Sequence, residues 1–228
     1  MASAHTDRAF EQDLQALRQK LLSMAALVEQ NLARAVRAIF ERDVDLALAV
    51  ERGDAAVDRL EIEVDDLCRK VLALRQPAAS DLRLITTALK IVTDLERCGD
   101  LAVNIAERGR ELVQAPEMAP PPELGRLAEL AQEQMKKALD AFVAASDDAA
   151  EAVLAGDELL DALYLKIFNG LLALMMEDSR TVRRATGLMF IAKQLERVGD
   201  HAMNVAEMVI YMVRGTDVRH THGRPAAG

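Results

Sequence analysis

The sequence predicts an all-α protein built as two tandem, similar three-helix bundles, and three observations carry that prediction. Composition is the first. Half the residues are apolar, only 3% are aromatic and there is no Trp, which is the profile of helix formers such as Ala, Leu, Val and Glu and not of strands. An internal repeat is the second. Leu95-Glu96-Arg97-Cys98-Gly99-Asp100-Leu101-Ala102-Val103-Asn104-Ile105-Ala106-Glu107 returns one hundred residues later as Leu195-Glu196-Arg197-Val198-Gly199-Asp200-His201-Ala202-Met203-Asn204-Val205-Ala206-Glu207, identical at nine of thirteen positions. Upstream, Gly53-Asp54 with Asp58 matches Gly156-Asp157 with Asp161 at an offset of 103. The third observation is a divider. Ala115-Pro116-Glu117-Met118-Ala119-Pro120-Pro121-Pro122 cannot continue a helix and reads as a stiff linker. The expected units are therefore residues 1–115, a linker at 116–122, a second repeat at 123–215, and a polar tail from Thr216 to Gly228 expected to be disordered.

Within each unit the apolar spacing sets the helices. Leu14, Leu17, Leu21, Met24, Val28 and Leu32 recur at three and four residues, the helical period. They predict a long first helix from Asp7 to Glu51, restarting near Asp43, a residue type that caps helices, and closed by Gly53. A second helix is expected from Asp54 to Leu74, a turn at Gln76–Ser80, and a third helix from Asp81 to Leu112. The second unit should repeat this at Glu123–Leu154, Asp157–Met176 and Arg180–Arg214. Helices of this kind are stable only with their apolar stripes buried against one another, and short turns between them make bundles.

Charge and cysteine narrow the function. A net charge of −9 disfavours holding nucleic acid through its phosphates and suits basic protein patches or cations. Cys68 and Cys98 make no disulfide framework and fit a reducing compartment. The first residues lack a basic segment followed by an apolar run, and no stretch of about 18 uncharged apolar residues occurs, so the expectation is a cytoplasmic protein that does not span a membrane.

The repeated segment carries the chemistry. At about 100° per residue, Leu84, Ala88, Ile91, Leu95, Gly99, Ala102 and Ala106 share a core stripe. Glu96, Asp100, Asn104 and Glu107 share the adjoining one, repeated as Glu196, Asp200, Asn204 and Glu207. Carboxylates at i and i+4 lie about 6 Å apart and repel by a few tenths of a kcal/mol. A duplication that keeps both pairs suggests that something positive sits between them. A hard metal ion would serve, because carboxylate oxygens suit Mg, Mn, Ca or Fe. Asp54 with Asp58, and Asp157 with Asp161, offer a second carboxylate set in each unit. Two plainer readings stand beside this one. Glu96 and Asp100 can pair with Arg97 and other arginines. Asp54 and Asp157 can cap a helix after glycine, with Asp58 and Asp161 favoured by the helix dipole.

Arg97 and Arg197 are read as braces for neighbouring carboxylates. Cys68, Cys98, Met175, Met176, Met189 and Met203 are read as packing, and His201 as pointing away from the acidic stripe. His220 and His222 lie in the tail. No phosphate-cradling glycine loop, nucleophile elbow, His-Glu-x-x-His or Glu-x-x-His is present, so catalysis is not expected.

The doubled Leu-Glu-Arg-x-Gly-Asp-x-Ala-x-Asn-x-Ala-Glu, the Gly-Asp before each second helix, and Gln76-Pro77-Ala78-Ala79-Ser80-Asp81-Leu82-Arg83 together resemble the PhoU family, over about Phe10 to Arg214. The resemblance implies PhoU-like bundles with metal ions (Fe, Zn, Mn or Mg) held by Glu96 and Asp100 with Asp54 and Asp58, and by Glu196 and Asp200 with Asp157 and Asp161. It implies a non-enzymatic negative regulator of the phosphate regulon and of phosphate uptake. Such a protein would link the ATPase subunit of the phosphate ABC transporter to a membrane sensor histidine kinase, commonly as a homodimer. The alternative weighed against it is a carboxylate-bridged metal enzyme on a helical bundle.

Overall fold

The computed structural model describes residues 2–75, 77–114 and 119–218. Its helices are α1 (Ala2–Glu41), α2 (Val44–Arg75), α3 (Ala79–Val113), α4 (Pro122–Ala144), α5 (Asp147–Leu154), α6 (Asp157–Glu177) and α7 (Val182–Arg214), with one 3-10 turn at Ser179–Thr181 and no strand among the described residues. α1, α2 and α3 pack as one bundle; α4, the α5–α6 pair and α7 pack as the other. The Pro116–Met118 part of the expected linker and the tail from Arg219, with His220 and His222, lie outside the described residues.

The break near Asp43 forms as expected. Arg42 takes a left-handed backbone, φ 54°, a conformation that costs a non-glycine residue roughly 1–2 kcal/mol. Its guanidinium compensates by donating to the Val113 carbonyl at 2.7 Å. The Asp43 carboxylate then accepts the backbone N–H groups of Asp45 and Leu46 and starts α2. The second half makes the same corner at the equivalent residues. Ala145 is left-handed at φ 48°, and the Ser146 hydroxyl accepts the Ala149 N–H.

Gly53 does not close a helix, contrary to the sequence expectation. α2 runs through it without interruption. Its missing side chain makes room for Asn31, whose Oδ1 lies 3.1 Å from where a Cβ would stand; the residue is there for packing. Asp54 is thus mid-helix and caps nothing. Only in the second half is there a break at this point, with Gly156 at the N-cap and Asp157 as the first residue of α6. Two smaller differences concern prolines. α3 starts at Ala79, directly after the Pro77-Ala78 pair, and α4 starts at Pro122 itself, whose fixed φ suits the first helical position.

α3 and α7 run antiparallel through the middle of the molecule and join the bundles. Arg83, early in α3, donates to the carbonyl of Met212 near the end of α7 at 3.0 Å. Arg184, early in α7, donates to the carbonyl of Leu112 near the end of α3, also at 3.0 Å. Each arginine satisfies a last-turn carbonyl of the other half's third helix. Because each third helix is flanked by its own bundle and by its twin, α3 buries Ile85, Val92, Leu101 and Ile105 as well as the expected stripe from Ala88 to Ala106, while Leu84 at its start is only partly buried.

The halves differ in their outer cover. α1 has 40 residues and α4 has 23, so α1 reaches about 25 Å further. Its early turns bury Leu14 and Leu17, and Asp13 pairs with Lys70 and Arg75 near the end of α2. Among the described residues the outer face of α6 is left open. Leu165, Phe168, Leu172 and Met176 are exposed there, Met176 at 82%. The stretch Asp147–Glu177 is long and apolar enough to cross a membrane by length and composition, and only 17% of its most apolar window is buried. It carries Asp161 and Lys166, and it anchors on the core through Leu160, Ile167 and Leu171.

Candidate metal centre: two acidic flanks

The glycine of each repeated motif determines how close the flank carboxylates come. A Cβ on Gly99 would stand 3.2 Å from Val57 Cγ1 and 3.3 Å from Asp54 Oδ1; one on Gly199 would stand 2.8 Å from Leu160 Cδ1. Val57 and Leu160 are equivalent residues, so both halves use the same close crossing of second and third helices. That crossing sets Asp54 beside the turn of α3 bearing Glu96 and Asp100.

Electrostatics show each set acting together. Burial first, then the charges of Asp58 and Asp100, hold the Asp54 carboxyl above its usual range. Glu96 is raised by burial, then by Asp100, against the lowering effect of Arg97, with Glu61 and Asp58 adding to the rise. In the second half Asp157 is raised by burial, Asp161 and Glu196. Asp200 is raised by burial and Glu196, with Lys193 opposing and Asp157 and Asp161 adding. All eight sequence-nominated carboxylates therefore lie on two flanks, one per half. Among the described residues no three His, Cys, Asp or Glu side chains converge closely enough to hold a metal ion.

Arg97 braces its neighbours as expected, 3.5 Å from Glu96 and 3.4 Å from Asp100. Three residues were missed. Glu61, one turn along α2 from Asp58, joins the first flank, its carboxyl raised by burial and then by Asp65 and Asp58. Its counterpart in the second half is Tyr164. Lys193 enters the second flank where the first has Thr93, and its ammonium donates to both Glu196 oxygens, at 2.6 and 2.5 Å. Only a position-by-position comparison of the two repeats would have exposed these exchanges.

His201 does turn from the flank, but it is not idle. Its Nδ1 lies 2.7 Å from Asp94 Oδ1, and Asn204 donates to the same oxygen at 3.1 Å. Asp94 is 9% exposed, so this triad is a half-buried polar tie between α3 and α7. Asn204 accordingly leaves the acidic stripe on which the helical wheel had placed it. Cys68 and Cys98 are free and buried, and burial pushes both thiols up, Cys68 to about 12; they are packing groups.

A duplicated helical bundle with a matching acidic flank on each half defines the class. The chain matches the model of the PhoU domain twice, over residues 21–109 and 124–209, and it belongs to that family. The phosphate-specific transport system accessory protein PhoU homologue of Pseudomonas putida is 41% identical over 217 residues, covering 95% of this chain and 85% of its own length. The homologue from Rhizobium meliloti is 40% identical over 94% of this chain and 91% of its own length. The crystal structure of PhoU from Pseudomonas aeruginosa superposes with a TM-score of 0.85 at 40% identity, covering 91% of this chain and all of that one. The phosphate transport system regulatory protein PhoU from Streptococcus pneumoniae gives 0.85 at 26% identity, covering 92% and 99%.

Proposed function

We propose that this chain is a cytoplasmic, non-enzymatic adaptor that represses the phosphate regulon and restrains phosphate uptake. On this reading it links the ATPase subunit of the phosphate ABC transporter to the sensor histidine kinase and works as a homodimer. Family membership makes it an accessory protein of phosphate transport, since its relatives carry that name. The observation that carries the adaptor reading is the outer face of α6, where Leu165, Phe168, Leu172 and Met176 stand open to solvent. A contiguous apolar face of this kind marks a surface for partners.

The acidic flanks supply the second ingredient. Their donors are hard oxygens suited to Mg, Mn or Fe, and a bound cation would offset the repulsion recorded in the raised carboxyls. Asp54, Asp58, Glu96 and Asp100 fit such an ion by donor chemistry. The second set, Asp157, Asp161, Glu196 and Asp200, already has an ammonium on Glu196. Deleting the gene should raise a phosphate-regulon reporter at high phosphate, and complementation should restore repression. A reporter that stays repressed in the deletion strain would refute the regulatory role. Replacing Phe168 and Leu172 by Asp should break repression without unfolding the chain.

A further inference from the structure

We propose that Lys193 is a built-in counter-ion that takes the place of a cation in the second acidic flank and leaves the first flank as the one that responds to metal. The inference rests on the metal reading above for the first flank only; the second flank is argued from its own contacts.

Two coordinated exchanges separate the flanks. The first has Glu61 on α2 and Thr93 on α3; the second has Tyr164 on α6 and Lys193 on α7. One carboxylate is thus lost, one ammonium gained, and the gained ammonium lies over the ring that replaced the carboxylate, 5.4 Å from its centroid. It bonds both oxygens of Glu196, whose side chain is 11% exposed. An ammonium that bonds a carboxylate through both oxygens and rests on an aromatic face is held from two helices. A metal ion reaching Glu196 would have to displace it. In the first flank, which holds Asp54, Asp58, Glu61, Glu96 and Asp100, Arg97 pairs with Glu96 and Asp100 at 3.5 and 3.4 Å and is 58% exposed, against 46% for Lys193 at its shorter contacts. That brace is long, exposed and easily released.

A charge exchange also occurs between the first and second helices of the two halves. Lys20 pairs with Glu63 in the first half, and at the equivalent positions Glu123 pairs with Lys166 in the second. That ion pair is kept with its two charges exchanged.

The test uses the full chain and manganous ion, with binding followed by EPR of free Mn2+ and melts recorded in EDTA. Wild type should show one class of site, lost in Asp100→Asn and kept in Asp200→Asn. Lys193→Thr should add a second class at least tenfold tighter than any second-flank binding in wild type, while Lys193→Arg should not. In EDTA, Lys193→Thr should melt about 2 °C below Lys193→Arg, a gap that closes in high salt. Equal loss of sites in Asp100→Asn and Asp200→Asn, or Lys193→Thr binding and melting like wild type, would overturn the proposal. If no variant binds Mn2+, the metal reading fails, and the melts alone decide: a lower Lys193→Thr supports the counter-ion, and equal melts reject it.

Discussion

α2 and α6 are the same helix of the same repeat, yet the outer face of one is largely charged and that of the other is apolar. Val71 on α2 is 1% exposed, and Leu72 packs on the core. Phe168 and Leu172 on α6 are exposed, where α2 carries Asp65 and Arg69. The cause lies in the side chains and not in the cover: the α2 positions equivalent to Leu165, Phe168 and Leu172 are Ile62, Asp65 and Arg69, with Ile62 and Arg69 exposed and Asp65 half-exposed, so the same face is open in both halves and only its chemistry differs. Duplication copied the fold, and divergence then gave the halves different surfaces. The second helix of one half shows charged residues where that of the other shows Phe168 and Leu172.

The largest expected effect tests the exposure of α6 directly. Leu17→Ala, at a fully buried position of the α1 extension, should cost about 2–5 kcal/mol in urea unfolding. Leu172→Ala on α6 should stay within about 0.5 kcal/mol. A similar cost for both would mean that α6 is covered after all.

Next comes the crossing that both halves share. Gly99→Val and Gly199→Val should each destabilise by about 1–3 kcal/mol through overpacking on Val57 and Leu160. Gly199→Val should be the worse of the two, because its neighbour is nearer. Chemical denaturation of the pair would show whether the crossings are equivalent.

The polar tie between the halves follows. Asp94→Ala leaves His201 and Asn204 without their acceptor, at a cost of about 1–3 kcal/mol. The reciprocal position is Gln194, whose buried Oε1 has no hydrogen-bond partner among the described residues, so Gln194→Ala should cost less. A double-mutant cycle of Asp94 with His201 should give a coupling free energy clearly different from zero.

Smallest is the charge effect. Flank carboxyls raised above 3.8 and 4.5 keep protons in the folded chain that the unfolded chain has released. Their repulsion is fully present above the folded values, and it is relieved as pH falls through them toward the ordinary range. Glu61→Gln should therefore gain a few tenths of a kcal/mol at pH 7 and flatten the stability change between pH 7 and 4.5 relative to wild type. An unchanged slope would place Glu61 outside the cluster.

The fold was legible because duplication prints the same helix twice, and the Asp43 corner was legible because a capping residue broke an apolar period. Gly53 misled because a glycine inside a helix and one ending it look alike until the opposing Asn31 is known. The flank carboxylates were found by helical spacing. Lys193 and Glu61 were not, since nothing in a single copy marks a lysine as an internal counter-ion. His201 and Asp94 meet only through the packing of α3 on α7, which no local pattern encodes.

The most direct test is anomalous diffraction at the manganese edge from crystals of the wild-type chain equilibrated with Mn2+. The account predicts a peak between α2 and α3 beside Asp54, Asp58, Glu96 and Asp100, and none between α6 and α7. Peaks of equal height on both flanks, or one confined to the second, would contradict it.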